Sequence, residues 1–490
     1  MSTGAQHSLL SAARSLWVFA TACLFLHAAT AAGADGPRLQ SSHSPHANIT
    51  SSCNDVSWLN PPGAPPFLVD VSQAAGTSHC QFHEFASQNV FSLLLGSHPT
   101  IATWPTSDQV YPASGVPNCA SALPLGRSTR PTLKQELPQV IKAGAVGDIN
   151  EAKGGPLVDQ DGRYVQFEIR VDPQLCQVVT SCQFYTTSCV NAVFQNDPNF
   201  RFPAGNVASN TPGVAEMKLA WRVMETCNLP DSPANCKPTD LTKFVTVPNV
   251  SVSPYSPANN GPVTVTLGLV GFHLIQKTPS HPELIWATWE HISNNPVCSG
   301  SDNSTCQDHS TQGSVGTASG WSLANPPANS SSDCSKSPPP PNCANVSYST
   351  NPSPQPPTQV CRVFPCGNGD QTQIASLNQA IRNHLAAGSV WWNYFLVGTL
   401  WGSGNTSNGG DPSQPNAGSV NLANSTMETY FQTSAHNCFT CHTNAADSQP
   451  SHLNLDFTHS LVRAQQAGGS CSVNFNTCAA APAPATPAKR

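Results

Sequence analysis

The run His436-Asn-Cys-Phe-Thr-Cys-His442 concentrates more reactive chemistry than any other stretch of the chain. Cys438, Cys441 and His442 form a C-x-x-C-H pattern, the spacing at which c-type haem is attached. On one turn of helix the two thiols can each add to a haem vinyl group. The next imidazole then points at the iron, so His442 is the expected proximal ligand and haem c the expected cofactor. With 19 Cys and 16 His in 490 residues, such a pattern arises by chance in about 2% of shuffled chains. The competing reading makes Cys438 and Cys441 two more disulfide cysteines beside a bystander histidine. Zinc would need partner ligands at metal-site spacing, and no second C-x-x-C or paired His lies nearby. A dithiol redox motif would need a βαβ setting, which this stretch lacks.

No Met follows Cys441. The candidates for a sixth iron ligand are therefore Met427, His452 and His459, with an open position as the fourth option. Met427 is favoured. Ser425-Thr-Met-Glu428 has the form of a capping box and predicts a helix that leads into Cys438. Such a helix would form a hairpin with the motif, and a thioether opposite His raises the reduction potential. Met427 also reads as ordinary core packing. His459 falls on a predicted helix over 456–464, and chain geometry keeps His436 on the same side of the haem as His442.

The elements that must carry these residues follow from periodicity. Phe82, Phe85, Ala86, Val90, Leu93 and Leu94 share one helical face, with His83 beside it as a structural residue. Asp161-Gly162 is a hairpin signal. After it Val165, Phe167, Ile169 and Val171 alternate with Tyr164, Gln166, Glu168 and Arg170, predicting a strand with one wet face. Glu216 to Met224 repeats the pattern, with Met217, Leu219, Trp221 and Val223 facing in and Lys218 and Arg222 facing out. Val263 to Ile275, containing His273, reads as a strand entering the centre of a sheet. Leu284 to Trp289 reads as another. Glu290 and His291 beyond it would point to opposite faces, which argues against an acid–base pair. Ile374, Leu377, Ile381 and Leu385 predict an amphipathic helix, and Val390 to Val397 a strand-like aromatic run. The fold class expected is α+β: a mostly antiparallel, sandwich-like β N-terminal region with a small helical c-type haem segment at the C-terminus.

The expected organisation is a signal peptide at 1–34, a flexible leader at 35–65 and a β-rich region at 66–298. A Cys/Pro/Ser-rich loop or linker then covers 299–371, a cytochrome c-like haem region 372–466, and an Ala/Pro-rich tail 467–490. Arg14 precedes the apolar run Leu16 to Leu26, and small residues follow at Ala28 to Ala34, as in an export signal. Only 10% of residues are charged, and Pro numbers 45. This composition suits a loop-rich exported protein in the periplasm or outside the cell. A net charge of −6 with no basic cluster speaks against nucleic acid. No stretch of the mature chain is long enough to span a membrane. The density of cysteines predicts a disulfide framework whose connectivity spacing does not reveal. Several N-x-S/T sequons, Asn249 and Asn424 among them, follow from a Ser/Thr/Asn-rich composition.

Thr426-Met-Glu-Thr-Tyr430, Cys438-Phe-Thr-Cys-His442 and Asp456-Phe-Thr458 resemble secreted bacterial proteins of a cytochrome c-like class with one C-terminal haem motif. Glu216-Met-Lys-Leu-Ala-Trp221, Gly271-Phe-His-Leu274, Trp286-Ala-Thr-Trp-Glu-His291 and Leu396-Val-Gly-Thr399 look like the same group. The resemblance implies haem binding and single-electron transfer to an unknown redox partner. Common small cytochromes c place a Met ligand downstream of the motif; here none exists. Two other functions compete: a peroxidase- or oxidase-like haem enzyme with an open sixth position, and a non-haem, disulfide-rich β-sheet binding protein.

Overall fold

The structure, a computed structural model, describes residues 53–59, 64–71, 79–95, 100–120, 156–197, 200–224, 239–252, 263–298, 320–324, 342–343, 357–386, 388–402, 416–434 and 437–443, with single positions at 227, 229, 461, 464, 466, 471, 473 and 478. All belong to one compact unit, Thr50–Arg490. The signal peptide, most of the tail, His436, His452 and His459 lie outside the described residues.

The first described elements are helix α1 (His79–Leu94) and the short helix α2 (Ser107–Val110), followed in the sheet by β1 (Gln166–Val171). Helices α3 (Pro173–Ser181) and α4 (Thr187–Asn196) follow, with a two-residue hairpin of β2 (Gly205–Asn206) and β3 (Thr211–Pro212). The remaining strands are β4 (Ala215–Val223), β5 (Thr246–Val252), β6 (Val263–Gln276), β7 (Ile285–His291), β8 (Tyr394–Gly402) and β9 (Asn416–Gly418). Helix α5 (Gln371–His384) precedes β8, and α6 (Cys438–Thr443) ends the described elements. Every pair within the main sheet is antiparallel, in the order β1-β4-β6-β7-β8-β9, with β5 also on β6. The hairpin predicted at Asp161-Gly162 is present: Gly162 N–H donates to Asp159 O at 3.0 Å, with Gly162 at φ +75°.

The expected sandwich is a single seven-stranded sheet instead, covered on both faces. The region expected to be a separate haem segment supplies β8 and β9, so the sheet runs across residues 299–371 without a break. One face, bearing Met217, Leu219, Phe272, Leu274, Trp289 and Leu396, packs against α1 and α5 through Val90, Phe91, Ile374, Leu377 and Ile381. Asn378 of α5 grips this face directly. Its amide donates to Leu396 O (2.9 Å) and accepts from Leu396 N (2.8 Å), where β9 no longer reaches β8. The other face is covered by irregular chain that includes Leu157, Leu323, Val360, Leu422 and Met427, together with Phe439 of α6.

The wet strand face is a correction. Glu168 and Arg170 are both buried and ion-paired, and Arg170 Nη1 donates to Trp104 O at 2.9 Å. Arg222, expected to face solvent, is wholly buried between Asp159 and Asp161. Alternation reveals that a face is polar; it does not reveal that carboxylates from elsewhere will neutralise it and let it be covered. Glu290 and His291 do point apart. His291 stacks on Phe244 at 4.0 Å, donates from Nε2 to Lys243 O (3.0 Å) and accepts from Ser293 Oγ (2.6 Å) on Nδ1, which fixes a neutral tautomer.

Burial pushes His291 down to about 3, only partly opposed by its bond to Lys243. The unfolded chain takes up this proton near pH 6.5, whereas the folded protein refuses it until about 3. Stability is therefore full above about pH 6.5 and falls as pH drops, by about 2 kcal/mol at pH 5 from this one group. Urea unfolding at pH 7 and pH 5 is expected to show this loss, and a His291→Phe variant to show a smaller difference between the two.

Five disulfides are described: Cys53–Cys80, Cys119–Cys176, Cys182–Cys478, Cys189–Cys471 and Cys298–Cys361. This density is consistent with an oxidising compartment. Two of them staple the expected tail to α3 and α4 across sequence separations of 296 and 282. In the chain-entropy picture the second staple closes only the short ring left by the first, so Cys182→Ala/Cys478→Ala costs about 3 kcal/mol. Removing both staples is expected to cost more than twice that figure, and chemical denaturation of the three variants measures it.

Candidate functional site

Residues 437–443 sit over the irregularly covered face of the sheet. Asn437 caps α6, its Oδ1 accepting from Thr440 N at 3.0 Å, while its amide donates to Val420 O at 3.0 Å. The helix start is thus pinned to the turn after β9. Phe439 is buried and anchors α6 among Ile275, Trp286, Phe395, Val397, Leu400 and Leu422, with Cys438 half-buried at the edge. The His442 ring lies 4.3 Å from that of Trp286, tilted by 57°. Cys438 and His442 lie at i and i+4 on one side of α6, and Cys441 belongs to the same turn. The described donors beside this wall are the Cys438 thiol and the His442 imidazole, the types that a c-type haem would take at a vinyl group and at the iron.

The segment leading to α6 differs from expectation. The Ser425-x-x-Glu428 pattern does not open an α-helix. Residues 424–428 form a turn, and a single 3-10 turn follows at Thr429–Phe431. The reason is that both expected capping groups are engaged elsewhere. Ser425 N and Oγ donate to Glu290 on β7, at 2.7 and 2.5 Å, and Glu428 Oε2 accepts from Asn424 N at 2.7 Å. Asn424 donates its own amide to Thr288 Oγ1 (2.7 Å) and Trp289 O (2.9 Å) and is wholly buried, so this sequon cannot carry a glycan. Arg362, from the expected linker, closes an ion pair with Glu290.

Met427 is fully buried, in a cluster with Leu157, Phe167, Met224, Phe244, Leu323 and Val360. It is not among the residues around Phe439 and Trp286. Met217 is equally buried, against the helices on the opposite face. The chain has four Met, so every Met after the first is committed to core away from α6. The structure therefore does not bring Met427 to His442.

Other titratable groups form pairs. His273 Nε2 lies 3.1 Å from Glu428, on the same sheet face as Trp286. Burial would raise the Glu428 carboxyl, but His273, Lys218 and the Asn424 amide together hold it below the usual range. His83 is not alone. It and His79 flank Asp370, at 3.2 and 2.8 Å. Asp370 sits at the N-cap of α5 in the left-handed region (φ +52°), and its carboxylate makes no cap bond. Burial alone would raise it; the two imidazoles outweigh that and hold it well below the carboxylate range. Burial pushes the His83 imidazole below its ordinary value, against the pull of Asp370. Among the described residues no three His, Cys, Asp or Glu side chains form a ready metal-ligand group. The His79–Asp370–His83 hydrogen bonds tie α1 to the start of α5.

Sequence reasoning missed Trp286, Glu290 with Arg362, and Asp370. Trp286 lies in a strand that reads as core, and the others are brought together over long separations that spacing does not report.

No known family, curated protein or solved structure matches this chain. Among the described residues no helix is long and apolar enough to cross a membrane.

Proposed function

We propose that this chain is an exported mono-haem c-type protein, periplasmic or secreted, that carries single electrons. The observation behind this reading is that Cys438 and His442 fall along one side of a capped helical turn laid against an apolar wall, with Cys441 of the C-x-x-C-H spacing in the same turn. When bound there, haem would supply a one-electron iron couple. Cys438 and Cys441 would hold it by thioethers. His442 would face the iron, with its ring steadied against Trp286. The wall around Phe439 would keep water from one side of the group, and exclusion of water tunes such a couple.

A second reading, a peroxidase- or oxidase-like enzyme, gains from one observation. With Met217, Met224 and Met427 all in core clusters away from α6, the sixth position falls to a histidine or stays open to a small ligand. Protein matured with haem-attachment machinery separates the two. Electron carriage predicts a six-coordinate, low-spin spectrum indifferent to carbon monoxide. A spectrum that shifts on adding carbon monoxide or cyanide moves the assignment to the enzyme. In either case Met427→Leu should leave the haem spectrum unchanged, with no near-infrared thioether-to-iron band lost, at a stability cost under about 1.5 kcal/mol.

A further inference from the structure

We propose a second site, separate from α6 and independent of the haem reading, at which His79 acts as a general base in the hydrolysis of a neutral carboxylic ester. His79 opens α1, and its Nδ1 lies 2.8 Å from both carboxylate oxygens of Asp370 at the start of α5. The carboxylate accepts from Nδ1–H, so the neutral imidazole carries its lone pair on Nε2. Nε2 makes no hydrogen bond to a described residue and is not enclosed, and the side chain is 30% exposed. A basic nitrogen thus meets solvent while its ring is gripped from behind.

The surroundings hold that arrangement in place. His83, one helical turn on and wholly buried, sets its Nε2 3.2 Å from Asp370 Oδ2. The Trp401 ring meets His79 edge-on at 5.0 Å and is itself stacked on Phe82 at 3.8 Å. Asp370 adopts the left-handed conformation, at φ +52°, and its carboxylate leaves the N-cap bonds of α5 unmade. Both features cost stability. A plain tie between α1 and α5 needs neither, whereas a carboxylate turned away from its cap to orient an open imidazole suits proton transfer. No described hydroxyl or thiol is bonded to Nε2, so water is the nucleophile. Nε2 takes a proton from water as the water oxygen adds to the ester carbonyl. The imidazolium then returns that proton to the leaving alkoxide, and ester and water become acid and alcohol. Asp370 is the positioning residue that stabilises the imidazolium in between. Its ion partners are the two histidines, with no Lys or Arg beside them, so an anionic substrate is disfavoured.

The test uses full-length protein and p-nitrophenyl acetate. Wild type should turn over faster than free imidazole at equal concentration, with a normal solvent-deuterium isotope effect. His79→Ala should lose about 10²-fold in rate, partly restored by added imidazole. Asp370→Asn should lower the rate and displace the pH–rate profile, which loss of a tie alone would not do. His384→Ala, at an exposed histidine of α5, should change nothing. In wild type, diethyl pyrocarbonate should modify His79 and stop turnover, and hydroxylamine should reverse both, which reads the site even if a variant fails to fold. Turnover no faster than imidazole, an isotope effect of unity, or equal rates in wild type and His79→Ala would overturn the proposal and leave haem attachment untouched.

Discussion

Replacing both Cys438 and Cys441 by Ala is expected to abolish haem staining of the denatured protein, while disulfide-dependent folding of the sheet persists. The reason lies in where the residues sit. Phe439 is the buried anchor of α6 in the wall, Cys438 only packs half-buried at its edge, and the Asn437 cap bond goes to Thr440 N. The helix is therefore expected to stay in place in the double variant. Single replacements should each leave one thioether, so staining survives at reduced intensity and the haem is extracted more readily. His442→Ala should keep covalent haem but lose the low-spin spectrum, since the proximal imidazole is gone. If Cys438 and Cys441 instead bridge one another, none of these variants changes an absorption spectrum.

The second large effect concerns stability. Glu290 and Arg362 are both almost wholly buried and paired, and Ser425 donates twice to the same carboxylate. Glu290→Ala takes the buried counter-charge from the Arg362 guanidinium and the acceptor from Ser425 N, while the Ser425 hydroxyl keeps Asn295 Oδ1, and is expected to cost about 3–5 kcal/mol. Adding Arg362→Met removes the stranded charge and should recover a large part of that loss, because a buried pair contributes little over an apolar substitute of similar volume. Urea midpoints of the two single variants and the double variant measure the coupling. The same network fixes the turn at 424–428, which hands the chain on to α6. Glu290→Ala should therefore also lower the yield of haem-loaded protein relative to Glu290→Gln, which retains the volume and one acceptor.

Much of the sheet was legible in the sequence because its signal is local. The alternation of Val165 to Val171 and of Met217 to Val223, the long run to Ile275, and the face Ile374–Leu377–Ile381 all became the elements they suggested. What failed was pairing at a distance. Nothing at 166–171 or 216–224 tells that Trp104 will cover Arg170, or that Asp159 will meet Arg222. A polar face closed by partners from other segments reads in sequence as a solvated one. The Ser425-x-x-Glu428 pattern failed for the same reason. A capping box assumes that its two side chains have no better partners, and Glu290 is a better partner for Ser425. Met427 was ambiguous between ligand and core because a flexible thioether suits both, and only the position of the 424–428 turn places it in the core. The C-x-x-C-H run itself was legible as spacing. Its setting was not, since the wall comes from β6, β7 and β8 together with the 422 turn.

The central claim is covalent attachment at Cys438 and Cys441. The most direct measurement is acid–acetone extraction of denatured wild-type protein after maturation with haem-attachment machinery. The expected result is that colour stays with the protein pellet, with an intact mass increased by one haem and lost in the double Cys→Ala variant. Haem released wholly into the acetone, or a wild-type mass that carries no haem, contradicts the account.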